Sequence, residues 1–272
     1  MKKSLLTLAL AACCLAASAQ TTPTQAAPAS PAVAPAPGSY QELLGQTITD
    51  IMRTGDAAAL RAQAAKLERA ATVAPADWLP RYYQAYALII SVFQSKENGD
   101  AKDKLLDQAE AALAQARQLK GDESELLTLQ AYAYQARLGI SPMLRSQKYS
   151  GMVDEAVAQA QGLNPANPRA YLVAANNVYF TPKMFGGGAE AARPLFEQAK
   201  AKFAAFQPAS PLAPNWGQRQ LQGRLKQYMV GVRPPAAAVL GHVVSHAQDM
   251  ACSASDGNHS AKHRATSGFT HC

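Results

Sequence analysis

Cysteine and histidine are almost missing from the body of this 272-residue chain. Two of its four cysteines, Cys13 and Cys14, fall within the first nineteen residues, leaving Cys252 and Cys272, so no disulfide framework holds a main domain together. All five histidines lie in the last 31 residues. That placement leaves no Ser-His-Asp set in the body of the chain, and acidic residues such as Asp154 and Glu155 read as a solvated helix face. No catalysis is expected. Aromatics make up only 7% of the residues, and runs of β-branched residues are scarce. With 48% hydrophobic residues, many of them alanine, the composition favours close-packed helices over sheets and predicts an all-α fold. Basic runs with interleaved aromatics are also lacking. The formal charge of +7 falls to +5 without Lys2 and Lys3 and is scattered, which fits a soluble basic surface, so no nucleic-acid partner is expected.

The N-terminus carries an address. Residues 1–19, MKKSLLTLALAACCLAASA, place two lysines before a short apolar run and end in Ala17-Ser18-Ala19, a small-residue cleavage site. The apolar run is well short of the ~20 residues of a spanning helix, so it predicts export to the periplasm or cell envelope. Leu10-Ala11-Ala12-Cys13 also resembles a bacterial lipoprotein box, which would leave Cys13 acylated as a membrane anchor. Residues 20–38 are Pro/Ala/Thr-rich low complexity, expected to be extended and mobile ahead of a domain over 39–229.

Within that domain, helical spacing predicts helices over 40–53, from 56 to about 73, over 78–94 and over 101–119. A hairpin over 152–180 is stopped at Asn164-Pro165 and restarts near Pro168. Ala70, Ala116 and Ala160 are separated by 46 and 44 residues, and Ala85, Ala131 and Ala175 by the same intervals. Leu67, Leu113 and Val157 keep this register, as do the stops Pro75, Gly121 and Pro165. Small residues let paired helices approach, a bulky neighbour fills the space beside them, and Pro or Gly ends the helix. One such hairpin cannot bury its apolar face alone, whereas stacked copies can.

Ala160, Leu163-Asn164-Pro165, Ala170-Tyr171 and Ala175, with Leu113, Ala116, Gly121, Leu127, Ala131 and Tyr134, resemble the tetratricopeptide repeat of exported bacterial proteins. Val153 stands where that family usually has alanine, and the longer period predicts longer turns, most clearly at residues 139–150. A looser copy follows: a turn over 181–188, a helix over 189–206 and a final helix over 214–229 with Trp216 near its start. The resemblance implies a right-handed superhelix of antiparallel helix pairs, a TPR-like α-solenoid. It also implies a concave groove lined by the first helix of each pair. By register this brings Tyr82, Tyr86 and Ile89, then Glu125, Thr128, Tyr132 and Gln135, then Arg169, Leu172, Asn176 and Tyr179 to one surface. Tyr82, Tyr86, Tyr132, Gln135, Arg169, Asn176 and Tyr179 are the anchors expected for an unknown protein or peptide, tyrosine and arginine being good anchor types.

The resulting expectation is a non-enzymatic peptide-binding scaffold. Its alternative is an accessory component of a periplasmic transport system that binds a small ligand. Gly186-Gly187-Gly188 precedes a helix, but no Lys-Ser/Thr pair follows it and no strand precedes it, so it is read as a structural turn, and no cofactor is expected. Residues 230–272 are poor in core-forming side chains and read as a disordered tail, whose abrupt composition also fits translation out of frame. Metal candidates there are His242, His246, Cys252, His259 and His263 in His-x-x-x-His spacing, ranked below the disordered reading.

Overall fold

The computed structural model describes residues 39–229. The export segment 1–19 with Cys13, the linker 20–38 and the tail 230–272 with its histidines and cysteines lie outside the described residues.

The described residues are all-α, with nine α-helices and one short 3-10 turn. The helices start where the sequence supplies a cap. The Ser39 side chain accepts from Glu42 N–H at the head of α1 (Tyr40–Arg53), and Asp56 accepts from Ala59 N–H ahead of α2 (Ala57–Val73). Helix α3 (Leu79–Gln94) carries Pro80 in its first turn, where no backbone bond is lost. Asn98, Asp122 and Asn167 cap α4 (Gly99–Gln118), α5 (Glu123–Ile140) and α7 (Pro168–Phe180) in the same way. Helix α6 (Pro142–Leu163) opens on a proline, and α8 (Ala189–Ala205) and α9 (Gln218–Met229) complete the order.

Each helix packs on the next, and α5 also packs on both α3 and α7. This makes a layered row of hairpins in which α3, α5 and α7 form one continuous face, called here the inner face. The repeat register is what permits the close approach. Ala85, Ala131 and Ala175 are fully buried, as are Ala116 and Ala160, while Ala70 at the start of the row is half-buried. Leu67, Leu113 and Val157 are buried beside them, each contributing about 1.5–3 kcal/mol by leaving water.

Two local expectations are corrected, and the turn after α7 is as expected. The inserted residues 139–150 do not form a long turn, because α5 runs on to Ile140 and α6 starts at Pro142 with Ser141 alone between them. The extra length becomes helix because Arg145 in the first turns of α6 ties back to α4 and α5, donating to the Asp103 carboxylate at 2.7 and 2.6 Å and to the Arg137 carbonyl. The final helix starts at Gln218 instead of Pro214, since Gly217 has φ +102°, a left-handed conformation that α-helix does not contain. The turn after α7 holds a 3-10 segment, Lys183–Phe185, followed by Gly186 at φ +82° and Gly188 at φ +100°. Gly186 and Gly188 thus take backbone angles that glycine favours, and a Cβ on Gly187 would strike the Thr181 carbonyl. The triplet therefore has a backbone reason to be glycine.

Candidate functional site

The inner face does not stand open. Residues 206–217 leave α8 and cross it without regular structure, and α9 follows. Tyr83 on α3 donates to the carbonyl oxygens of Leu212 and Ala213, at 3.2 and 2.9 Å, fixing the middle of this strap. Gly217 lies so close to Leu172 and Phe203 that an added Cβ would sit 2.9 Å from each. At the far end, Tyr228 donates to the Ala189 carbonyl at 2.6 Å.

Trp216 is the centre of the arrangement and only 2% exposed. Its indole lies between Tyr86 of α3 and Tyr132 of α5, with centroids 5.0 and 5.4 Å away and planes tilted by 26° and 7°. Offset stacking of this kind is the favoured geometry for neighbouring π-systems. The indole N–H donates to the Tyr82 hydroxyl at 2.7 Å, and that hydroxyl donates to Glu125 Oε2 at 2.9 Å. Arg169 completes the chain, its Nε and Nη2 edge meeting both Glu125 oxygens at 2.6 to 3.1 Å, with the guanidinium 4.5 Å over the Phe206 ring. Burial raises the Tyr82 hydroxyl well above its usual 10, helped by the Glu125 charge, and raises Tyr132 to about 12. Both stay protonated at neutral pH. For Arg169, burial acts to lower the pKa, but the Glu125 carboxylate outweighs it and holds the guanidinium above its ordinary value. A charge pair this deeply buried is held by the direct meeting of the Nε–Nη2 edge with both carboxylate oxygens, while Arg169 Nη1 is buried without a hydrogen-bond partner.

All seven residues singled out from the sequence sit on this face, in two groups. Tyr82, Tyr86, Tyr132 and Arg169 surround Trp216 or its hydrogen-bond chain. Gln135, Asn176 and Tyr179 lie further along α5 and α7, Tyr179 in contact with α9. Gln135 donates to the Val173 carbonyl at 2.7 Å, and Tyr179 donates to Gln227 at 3.2 Å and carries the Arg224 guanidinium 4.7 Å over its ring. Tyr82, Tyr132, Gln135, Arg169 and Asn176 are buried, while Tyr86 and Tyr179 are half-buried. The surface expected to hold a partner thus holds the chain's own strap.

Sequence reasoning missed Tyr83, Gln220, Arg224 and the seat of Trp216. One signal was present: Glu125 and Arg169 stand 44 residues apart, the interval between the second and third copies. Opposite charges at one register position of adjacent repeats point at each other. Away from this face, a shallow depression lined in part by Asp56, Arg61, Gln94, Ser95 and Glu97 is open to solvent, and an exposed Arg61–Glu97 pair at 3.3 Å lies in its lining. Among the described residues no group of His, Cys, Asp and Glu is placed to hold a metal ion, and no helix is long and apolar enough to cross a membrane.

Fold and site together define a helical-hairpin protein whose aromatic inner face is closed by its own C-terminal strap. Neither the family models nor the curated proteins give a match. Among solved structures, the HusA haemophore from Porphyromonas gingivalis is similar at 33% identity and a TM-score of 0.64, over 72% of this chain and 95% of that one. The chain belongs to the HusA haemophore family.

Proposed function

We propose that this protein is an exported, non-enzymatic binding protein for a planar tetrapyrrole of the haem class, held on the inner face. The observation that carries the reading is the parallel stack of Tyr86, Trp216 and Tyr132 in a member of a haemophore family. The slot between the two tyrosines accepts one flat ring system, and a macrocycle replacing the indole would keep both stacking contacts. The hairpin row, on this reading, winds as the right-handed TPR-like superhelix expected from the sequence, with the inner face concave. Export would follow from residues 1–19, with release after Ala19 or anchoring at Cys13.

Residues 39–229 contain neither histidine nor cysteine, so ring stacking and burial, not an iron bond from those groups, would supply the affinity of this domain. The test is an absorbance titration of the purified protein with haemin and with metal-free protoporphyrin IX. Saturable 1:1 binding of both, with quenching of tryptophan emission, is expected. Failure of both to bind would end the reading. A second reading, capture of a peptide, draws support from the strap itself, since 206–217 lies as irregular chain against the same residues. It requires the whole strap to leave, whereas a planar ligand displaces one ring.

A further inference from the structure

Three arginines are buried among the described residues: Arg137, Arg169 and Arg224. Two use the same edge in the same way. Arg137 presents Nε and Nη2 to the Glu110 carboxylate, each at 3.0 Å, and Arg169 presents them to Glu125. Two parallel N–H groups facing two carboxylate oxygens is the geometry the guanidinium fork is built for.

Arg224 departs from this pattern. It is 6% exposed, makes no ion pair with any described carboxylate, and leaves Nε and Nη2 without a hydrogen-bond partner. Its remaining nitrogen makes one long contact with Gln227, at 3.4 Å. The guanidinium rests on the rings of Tyr179 and Phe180, 4.7 and 5.0 Å from their centroids. Burial pulls it below the ordinary arginine value, and the neighbouring tyrosines only partly offset this.

Further unpartnered groups gather there. Both side-chain polar atoms of Asn176 and the Oε1 of Gln135 are buried without partners, each residue being 1% exposed. Helix geometry brings them together. On α7, Asn176 lies three residues from Val173, whose carbonyl Gln135 bonds, and three from Tyr179, on which Arg224 rests. On α9, Gln220 lies one turn before Arg224 and donates to the Tyr132 hydroxyl at 3.0 Å, while Tyr132 lies one turn before Gln135 on α5. Three helices therefore carry five buried, unsatisfied polar atoms on residues that share neighbours with the tyrosine stacked on Trp216. Leaving such groups unmet costs about 1–3 kcal/mol apiece, which a fold seldom tolerates without a use for them.

We propose that the Nε–Nη2 edge of Arg224 and the Asn176 amide form a binding site for the carboxylate of a ligand held on the inner face. Departure of the Trp216 indole makes room on the Tyr132 side, and a carboxylate entering there meets the free guanidinium fork, with Asn176 as a further donor. This deepens the tetrapyrrole reading and rests on it only for what carries the carboxylate, namely the acidic side chain of a porphyrin.

The test compares protoporphyrin IX with its dimethyl ester by absorbance titration, in the wild type, Arg224→Met and Asn176→Leu. The wild type is expected to prefer the free acid by on the order of 10- to 100-fold, the range for a hydrogen-bonded charge pair. Arg224→Met should remove that preference and Asn176→Leu reduce it. Equal binding of acid and ester by the wild type, or a preference that survives in Arg224→Met, overturns the carboxylate site and leaves porphyrin binding standing. If neither porphyrin binds, 2-naphthoate and 2-naphthamide are compared through quenching of tryptophan emission. Quenching by naphthoate alone, lost in Arg224→Met, supports the site without the tetrapyrrole, whereas equal or absent responses overturn it. Replacing an unpartnered guanidinium by an apolar chain should not lower the melting temperature, and should Arg224→Met fail to fold, Asn176→Leu carries the comparison.

Discussion

Glu125→Leu isolates what the buried ion pair does for the fold. The substitution leaves the Arg169 guanidinium, 1% exposed, without three bonds of 2.6 to 3.1 Å and removes the acceptor of the Tyr82 hydroxyl. Phe206 beneath the guanidinium returns only a small part of this, because a cation–π contact is worth about 0.5–2 kcal/mol and is already present in the parent. An uncompensated buried charge of this kind costs roughly 3–5 kcal/mol, a large share of a typical domain's stability. The second substitution, Arg169→Met, removes the stranded charge, so the double variant should recover most of the loss although it carries more changes. Urea unfolding followed by circular dichroism at 222 nm, on both single variants and the double, gives the coupling energy directly. A double variant as unstable as Glu125→Leu would refute the argument, since the loss would then come from packing and not from the unpaired charge.

Gly217→Ala should destabilise the strap by roughly 2 kcal/mol, combining a left-handed backbone with Cβ contacts at 2.9 Å to Leu172 and Phe203, and should shift tryptophan emission to the red as Trp216 meets water. Trp216→Ala should lower the melting temperature through the lost stack yet raise affinity for protoporphyrin IX, because the slot between Tyr86 and Tyr132 is then vacant; weaker porphyrin binding by this variant would count against displacement of the indole. Asp103 accepts from both Arg145 and Arg137, and the Arg145 hydrogen bond, against a raising effect of burial, holds its carboxyl below the ordinary 3.8. Its stabilisation is therefore complete above the unfolded-state value and is lost as pH falls through the lower folded-state value. Asp103→Asn should cost about 1 kcal/mol at pH 7, and the gap to the wild type should close under strong acid in a melting-temperature series against pH.

The hairpins were legible because their signals are local. Asp56, Asn98, Asp122 and Asn167 are capping types directly ahead of periodic apolar residues, and α1 and α7 begin and end where spacing and proline place them. Alanines in a 44- to 46-residue register identified the packing faces before any contact was known. The strap was legible only as a break, since QPASPLAPNWG has no period and its three prolines forbid a ladder of backbone bonds. Where an aperiodic segment lies is decided by which distant side chains fit it, here Tyr83 for its carbonyls and two tyrosine rings for its indole. The face chosen from repeat register is the one the strap covers, and its large polar side chains serve the strap and one another. A lone tryptophan flanked by proline, asparagine and glycine was the available hint, because an indole in such a loop gains most by finding an aromatic seat elsewhere.

Repeat proteins commonly grow or shrink by whole copies, because each unit meets only its like. The series Tyr82, Glu125, Arg169, Phe206 runs across the inner face as hydroxyl, anion, cation and ring, each member in contact with the next. An inserted copy of the α4–α5 hairpin would set glutamate beside glutamate, and a deleted one would leave the buried Arg169 charge facing the neutral Tyr82 hydroxyl with no anion. The number of hairpins across the described inner face is therefore counted by chemistry.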